Sequence, residues 1–200
     1  MVSQIDKKDL IKKICMSAMC LALAVILPIA FHAIPNSAVI FSPLHIPVLL
    51  CGLVCGYKFG LLVGLCAPIL SMLISGMPTA ANLPSMIVEC LIYGSFPYLY
   101  LKIVKFKHLY INIYIGLIIS ILIGRCFGGL VSALMYTDGT YSIGIWATSY
   151  FVKGWPGIVI RIVLIPNVVF LLEKSKLIKL ENDKNKEISK ENKKINEYEE

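Results

Sequence analysis

The distribution of lysine and arginine along this chain constrains its fold more than any other feature. Lys7, Lys8, Lys12 and Lys13 precede the first long apolar run, and the stretch 32–44 that follows it has neither Lys nor Arg. Lys58 marks the next connection, 75–83 has none, and Lys102, Lys105 and Lys107 mark the one after that. Residues 136–150 again have none, and the C-terminal segment returns to dense lysine. Lys and Arg gather in the cytoplasmic loops of membrane proteins. The alternation therefore predicts an all-α membrane protein with six transmembrane helices and both termini in the cytoplasm.

The amount of apolar sequence agrees. Of the 200 residues 58% are hydrophobic, with a mean hydropathy of +0.78. A helix needs about 20 apolar residues to cross the hydrocarbon core. Six crossings with short connections use nearly all of residues 10–173, so residues 1–173 are expected to form one membrane domain with no second folded unit. Residues 174–200 hold eight Lys and seven Asp or Glu with almost no apolar periodicity. That composition predicts a solvated, disordered cytoplasmic tail without chemistry of its own. The apolar run 14–31 is too long for the core of a secretory signal, so it is expected to remain as the first helix. The expected location is the cell membrane.

The net charge of +7 follows from the cytoplasmic loops and the tail, and nucleic acid is not an expected partner. Cys15, Cys20, Cys51, Cys55, Cys66, Cys90 and Cys126 all fall in apolar runs, without a CxxC pair or a Cys/His metal pattern. They read as small packing residues, and neither a metal nor a cofactor is implied.

The expected helices cover about 10–31, 45–56, 59–75, 83–101, 110–135 and 148–172. Pro28 is expected to break the first near its end. The second is short for a span. Gly52, Gly56, Gly60 and Gly64 recur every four residues across the turn at Tyr57 and Lys58, a spacing that lets helices approach closely in lipid. Pro68 is expected to make the third helix irregular.

Ionisable residues inside these spans carry the functional signal. Glu89 is expected about 9 Å, Arg125 about 15 Å and Arg161 about 20 Å from the outer ends of their helices, at 1.5 Å per residue. Each costs at least about 2.5–3.5 kcal/mol at such depth, so all three should face the bundle interior or a water-filled cavity. Lys153 lies shallower, beside Trp155. A structural pair between Glu89 and one arginine would leave the other arginine over. Two arginines and one glutamate leave a surplus positive charge that suits a substrate with a carboxylate or phosphate, which Arg holds through paired hydrogen bonds. Asn82, Tyr93, Ser132, Trp155 and Asn167 are the polar neighbours expected around such a pocket. His32 and His45 are expected to be helix-end residues.

An intramembrane enzyme is not expected. Glu89 is the only acid in the predicted spans, and neither a paired-carboxylate nor a Ser/His arrangement is present. A self-sufficient transporter driven by protons or sodium, with Glu89 as proton carrier, is the alternative. Internal inverted repeats would favour it, and none is visible.

Three stretches together resemble the substrate-binding S component of energy-coupling-factor (ECF) vitamin transporters. They are Ala18-Met-Cys-Leu-Ala22, Ser42-Pro-Leu-His-Ile-Pro-Val-Leu-Leu-Cys-Gly-Leu-Val-Cys-Gly56 and Asn82-Leu-Pro-Ser-Met-Ile-Val-Glu-Cys-Leu-Ile-Tyr-Gly94. The resemblance covers about residues 12–172. It implies capture of a vitamin or precursor from outside, followed by toppling of the S component against a transmembrane coupling subunit with two ATPases. Ala18 and Ala22 would contact that coupling subunit. The chain has no GxxxxGK[ST] phosphate loop, so the energy must come from a partner. The His-Ile-Pro and Glu89-to-Gly94 patterns look most like the pantothenate branch. Binding positions are implied on the last three helices and in the first outer loop: Asn82, Glu89, Tyr93, Arg125, Lys153, Trp155 and Arg161, with Asn36 in the loop.

Overall fold

A computed structural model describes residues 2–31, 40–104, 109–135 and 143–175. Among these residues every regular element is helical. Helix α1 spans Val2–Ala30, α2 His45–Cys55, α3 Tyr57–Ser75, α4 Leu83–Ile103 and α5 Leu109–Met135. A short α6, Ile143–Ala147, runs into wide π-type turns over Thr148–Lys153, and α7 is Trp155–Lys174.

Five helical stretches are long and apolar enough to cross a membrane: Lys7–Ala30, Tyr57–Ser75, Leu83–Ile103, Tyr110–Met135 and Trp155–Lys174. Helix α2 has only 11 residues. At 1.5 Å per residue that is about 16 Å, half of a hydrocarbon core of about 30 Å. Where the charge pattern predicts a sixth crossing, the fold has this half-length helix. Helix α3 continues through Pro68, and α1 through Pro28 as far as Ala30. Pro28 therefore does not break the first helix as the sequence suggested, and Pro68 lies inside an unbroken α3.

The glycines expected to pack closely divide into two roles. Gly56 makes the turn between α2 and α3, at φ 95°, a conformation that a side chain disfavours. Gly52 and Gly60 face Gly94 on α4, so three backbones meet without intervening side chains. A β-carbon built on Gly52 would lie 2.9 Å from the Gly94 carbonyl carbon. One turn higher, Gly64 packs on the backbone of Cys90 and Leu91. This crossing seats α4 against the α2–α3 hairpin and holds Glu89 and Tyr93 over α2. Helix α4 also packs along α5, α1 lies against α2 and α3, and α7 touches α2 and α5. The core between the helices is Cys20, Ala24, Val48, Leu49, Cys51, Val63, Ala67, Cys90, Tyr93, Ile113, Leu117, Ile121, Ile165 and Val169. Outward-facing Leu, Ile and Val side chains remain exposed on all five long helices. Water would not solvate such a surface favourably, whereas lipid does.

Candidate functional site: a buried polar cluster at one end of the bundle

The buried charges lie at the end of the bundle where α2, α4 and α7 begin and α5 ends. Arg161 is fully buried, and Glu89 and Arg125 are 5% and 4% exposed. Glu89 is the seventh residue of α4 and Arg161 the seventh of α7, so each sits about 9 Å along its helix. Arg161 is shallower than the sequence suggested because the last span starts at Trp155. The six preceding residues form π-type turns that end at Gly154.

His45 joins these groups. It is the first residue of α2 and is buried. The turn at Ser42, which has φ 43°, brings it there, with the His45 backbone N–H donating to the Ser42 carbonyl at 3.1 Å. Arg161 Nη1 lies 3.4 Å from His45 Nδ1, and His45 Nε2 lies 3.6 Å from Glu89 Oε2. A guanidinium has only donors, so Nδ1 accepts from Arg161 and the ring proton sits on Nε2, facing the carboxylate. Arg161 Nε donates to the Gly157 carbonyl at 2.8 Å. The Tyr93 ring meets His45 edge-on, with centroids 5.0 Å apart.

Glycines on α5 make room for this arrangement. Gly124 faces the Tyr93 ring, Gly128 faces the Glu89 carboxylate and Gly129 faces the Trp146 indole. A β-carbon built on Gly128 would lie 2.8 Å from Glu89 Cδ. Arg125, between the first two glycines, lies with its guanidinium carbon 5.9 Å from the Phe151 ring centroid, within cation–π range. Trp146 Nε1 donates to the Arg125 carbonyl at 3.4 Å, and the Trp146 and Phe151 rings are 5.5 Å apart. The segment from α6 through the π-type turns is thereby anchored on the end of α5. On the opposite side, the Ile40 and Phe41 carbonyls close over Gly157.

Glu89, Tyr93, Arg125 and Arg161, four residues singled out in the sequence, thus converge. Others do not. Trp155 is 60% exposed, and Lys153 and Asn82 are exposed. The Asn82 side chain donates to Thr79 Oγ1 at 3.2 Å. Asn167 is exposed, and its amide donates to the Val163 carbonyl. Ser132 is buried near the end of α5. Asn36 and His32 lie outside the described residues. His45 is at a helix end as expected, but it also bridges the cluster. Trp146 and Phe151 were not anticipated, because the span was expected to begin at residue 148 as a regular helix. The glycine pair flanking Arg125 at a spacing of four was the available signal for the notch.

Two positive charges against one negative leave the cluster at +1, with His45 counted as neutral. Such a site can bind an anionic group, and it offers hydroxyl, carboxylate and imidazole partners for the rest of a small polar molecule.

The ECF transporter, substrate-specific component family matches residues 12–169. The chain belongs to that family, so it is a multi-pass membrane transport protein of the class whose members work with a membrane coupling subunit and ATPases, and its family is one of transporters rather than enzymes. Neither the comparison with curated proteins nor that with solved structures returned a match.

Proposed function

We propose that this chain captures a small organic acid, pantothenate, on the outer side of the cell membrane and releases it inward with a coupling subunit and two ATPases. The observation that carries this reading is the juxtaposition of two buried arginines with one buried glutamate. The net positive charge matches a ligand with one carboxylate. Glu89, His45 and Tyr93 offer complementary partners for hydroxyls and an amide. The Glu89-to-Gly94 and His-Ile-Pro patterns favour pantothenate among possible acids.

On this reading the termini are cytoplasmic, residues 1–173 form the membrane domain with six passes, α2 being the short one, and residues 174–200 are a cytoplasmic tail. The cluster then lies toward the outside, where solute arrives. Asn82, Lys153 and Trp155 serve the approach to the site, consistent with their exposure, and Asn36 belongs to the first outer loop. Ala18 and Ala22 dock the coupling subunit. Both are exposed on α1, and small residues let a partner helix come close.

Binding of radiolabelled pantothenate to the detergent-purified chain, followed by mass spectrometry of molecules that co-purify with it, tests the assignment. Saturable one-site binding and recovery of pantothenate are expected. Recovery of an uncharged or cationic solute instead would overturn it.

A further inference from the structure

Two of the five N–H donors of the Arg161 guanidinium are committed. Nε bonds the Gly157 carbonyl and Nη1 faces His45 Nδ1. Nη2 is buried and has no hydrogen-bond partner within 3.5 Å among the described residues, and the Tyr93 hydroxyl, which lies close to the same guanidinium, is in the same condition. Both side chains are 0% exposed, and each lies against the His45 ring, one through Nη1 and the other edge-on. A buried donor without an acceptor costs about 1–3 kcal/mol, more when it is charged. Two such donors beside one imidazole are an arrangement that packing alone does not explain. An anionic oxygen satisfies both.

We infer that Arg161 Nη2 and the Tyr93 hydroxyl are the seat for one oxygen of the ligand's carboxylate, and that His45 is the positioning residue that aims Arg161 at it. This rests on the reading of the chain as a receptor for a small organic acid, and it adds which groups read the acid. Two bonds to different elements, the α7 backbone and the α2 imidazole, fix the guanidinium plane and leave the Nη2 edge for the ligand. His45 Nε2 is turned to the Glu89 carboxylate on α4, 3.6 Å away. Arg125, against the Phe151 face, contributes positive potential rather than the directional contact. The arrangement discriminates a carboxylate from the corresponding alcohol or amide, because a neutral group offers Arg161 a weaker acceptor.

The test uses the purified full chain and matched acid and neutral probes: pantothenate with pantothenol, nicotinate with nicotinamide, and biotin with its amide. Affinities are measured by titration, with thermal shift as the survey. The wild-type protein is expected to prefer at least one acid over its neutral partner by about 10- to 100-fold. Tyr93→Phe, which removes a single oxygen, and Arg161→Gln should reduce that preference to about threefold or less, mainly by weakening the acid. His45→Phe should do the same, whereas His45→Gln, which keeps an acceptor and a donor, should retain most of it. If the pattern holds for an acid other than pantothenate, the seat stands and the pantothenate assignment falls. Equal affinity for every acid and its neutral partner, no acid bound at all, or full preference retained in Tyr93→Phe would overturn the seat. Preference retained in His45→Phe would overturn the positioning role.

Discussion

Gly128 shows how a residue without a side chain builds a site. It opens the face of α5 on which the Glu89 carboxylate lies, one turn from Gly124, which admits the Tyr93 ring. A branched side chain there must displace Glu89, and overpacking of this kind costs about 1–3 kcal/mol. Gly128→Val should therefore weaken ligand binding by about 5- to 150-fold, with the protein still inserted and monodisperse on size exclusion. Unchanged affinity would show that the Glu89 position is immaterial to binding. Glu89, Arg125 and Arg161 were visible in the sequence because charge inside a span is costly and therefore stands out. His45 was not. It begins its helix, next to a polar loop, and its partner Arg161 lies 116 residues away in sequence. No local pattern encodes that meeting.

Helix α4 is held by the crossing of Gly52, Gly60 and Gly94, and the register of the whole site depends on it. Gly60→Leu forces the α3 and α4 backbones apart, with an expected loss of at least about 1–3 kcal/mol. A lowered melting temperature of the detergent-solubilised protein is the readout. A melting curve like that of the wild type would mean that α4 is seated by other contacts. The four-residue glycine spacing announced close packing in the sequence, and helix boundaries followed closely from apolar length, as for α2 and α3. Spacing alone did not show that Gly56 serves the turn while its neighbours serve the crossing, since that depends on where α2 ends. The last span was harder to read. Its apolar run continues through Thr148–Lys153, yet the backbone widens there and restarts at Trp155. Hydropathy reports whether a segment tolerates lipid and does not register the extra residue per turn of a π-type stretch.

Across the molecule, the groups proposed for capture of solute and those proposed for delivery lie on different helices. Ala18 and Ala22 lie on the exposed side of α1, while the cluster is built on α2, α4, α5 and α7. Ala18→Trp should leave solute affinity within about twofold of the wild type, because it touches none of the cluster, and should abolish uptake in membranes that contain the coupling subunit and ATPases. Uptake at the wild-type rate would remove α1 from the docking surface. Truncation after Ser175 should alter neither binding nor insertion, since every described residue of the cluster precedes that point. The most direct test of the cluster as an anion receptor is a calorimetric titration of pantothenate into the purified full chain and into Arg161→Gln. One saturable site in the wild type, weakened by about 10-fold or more in the variant, is the predicted result. The same affinity in both proteins would contradict it.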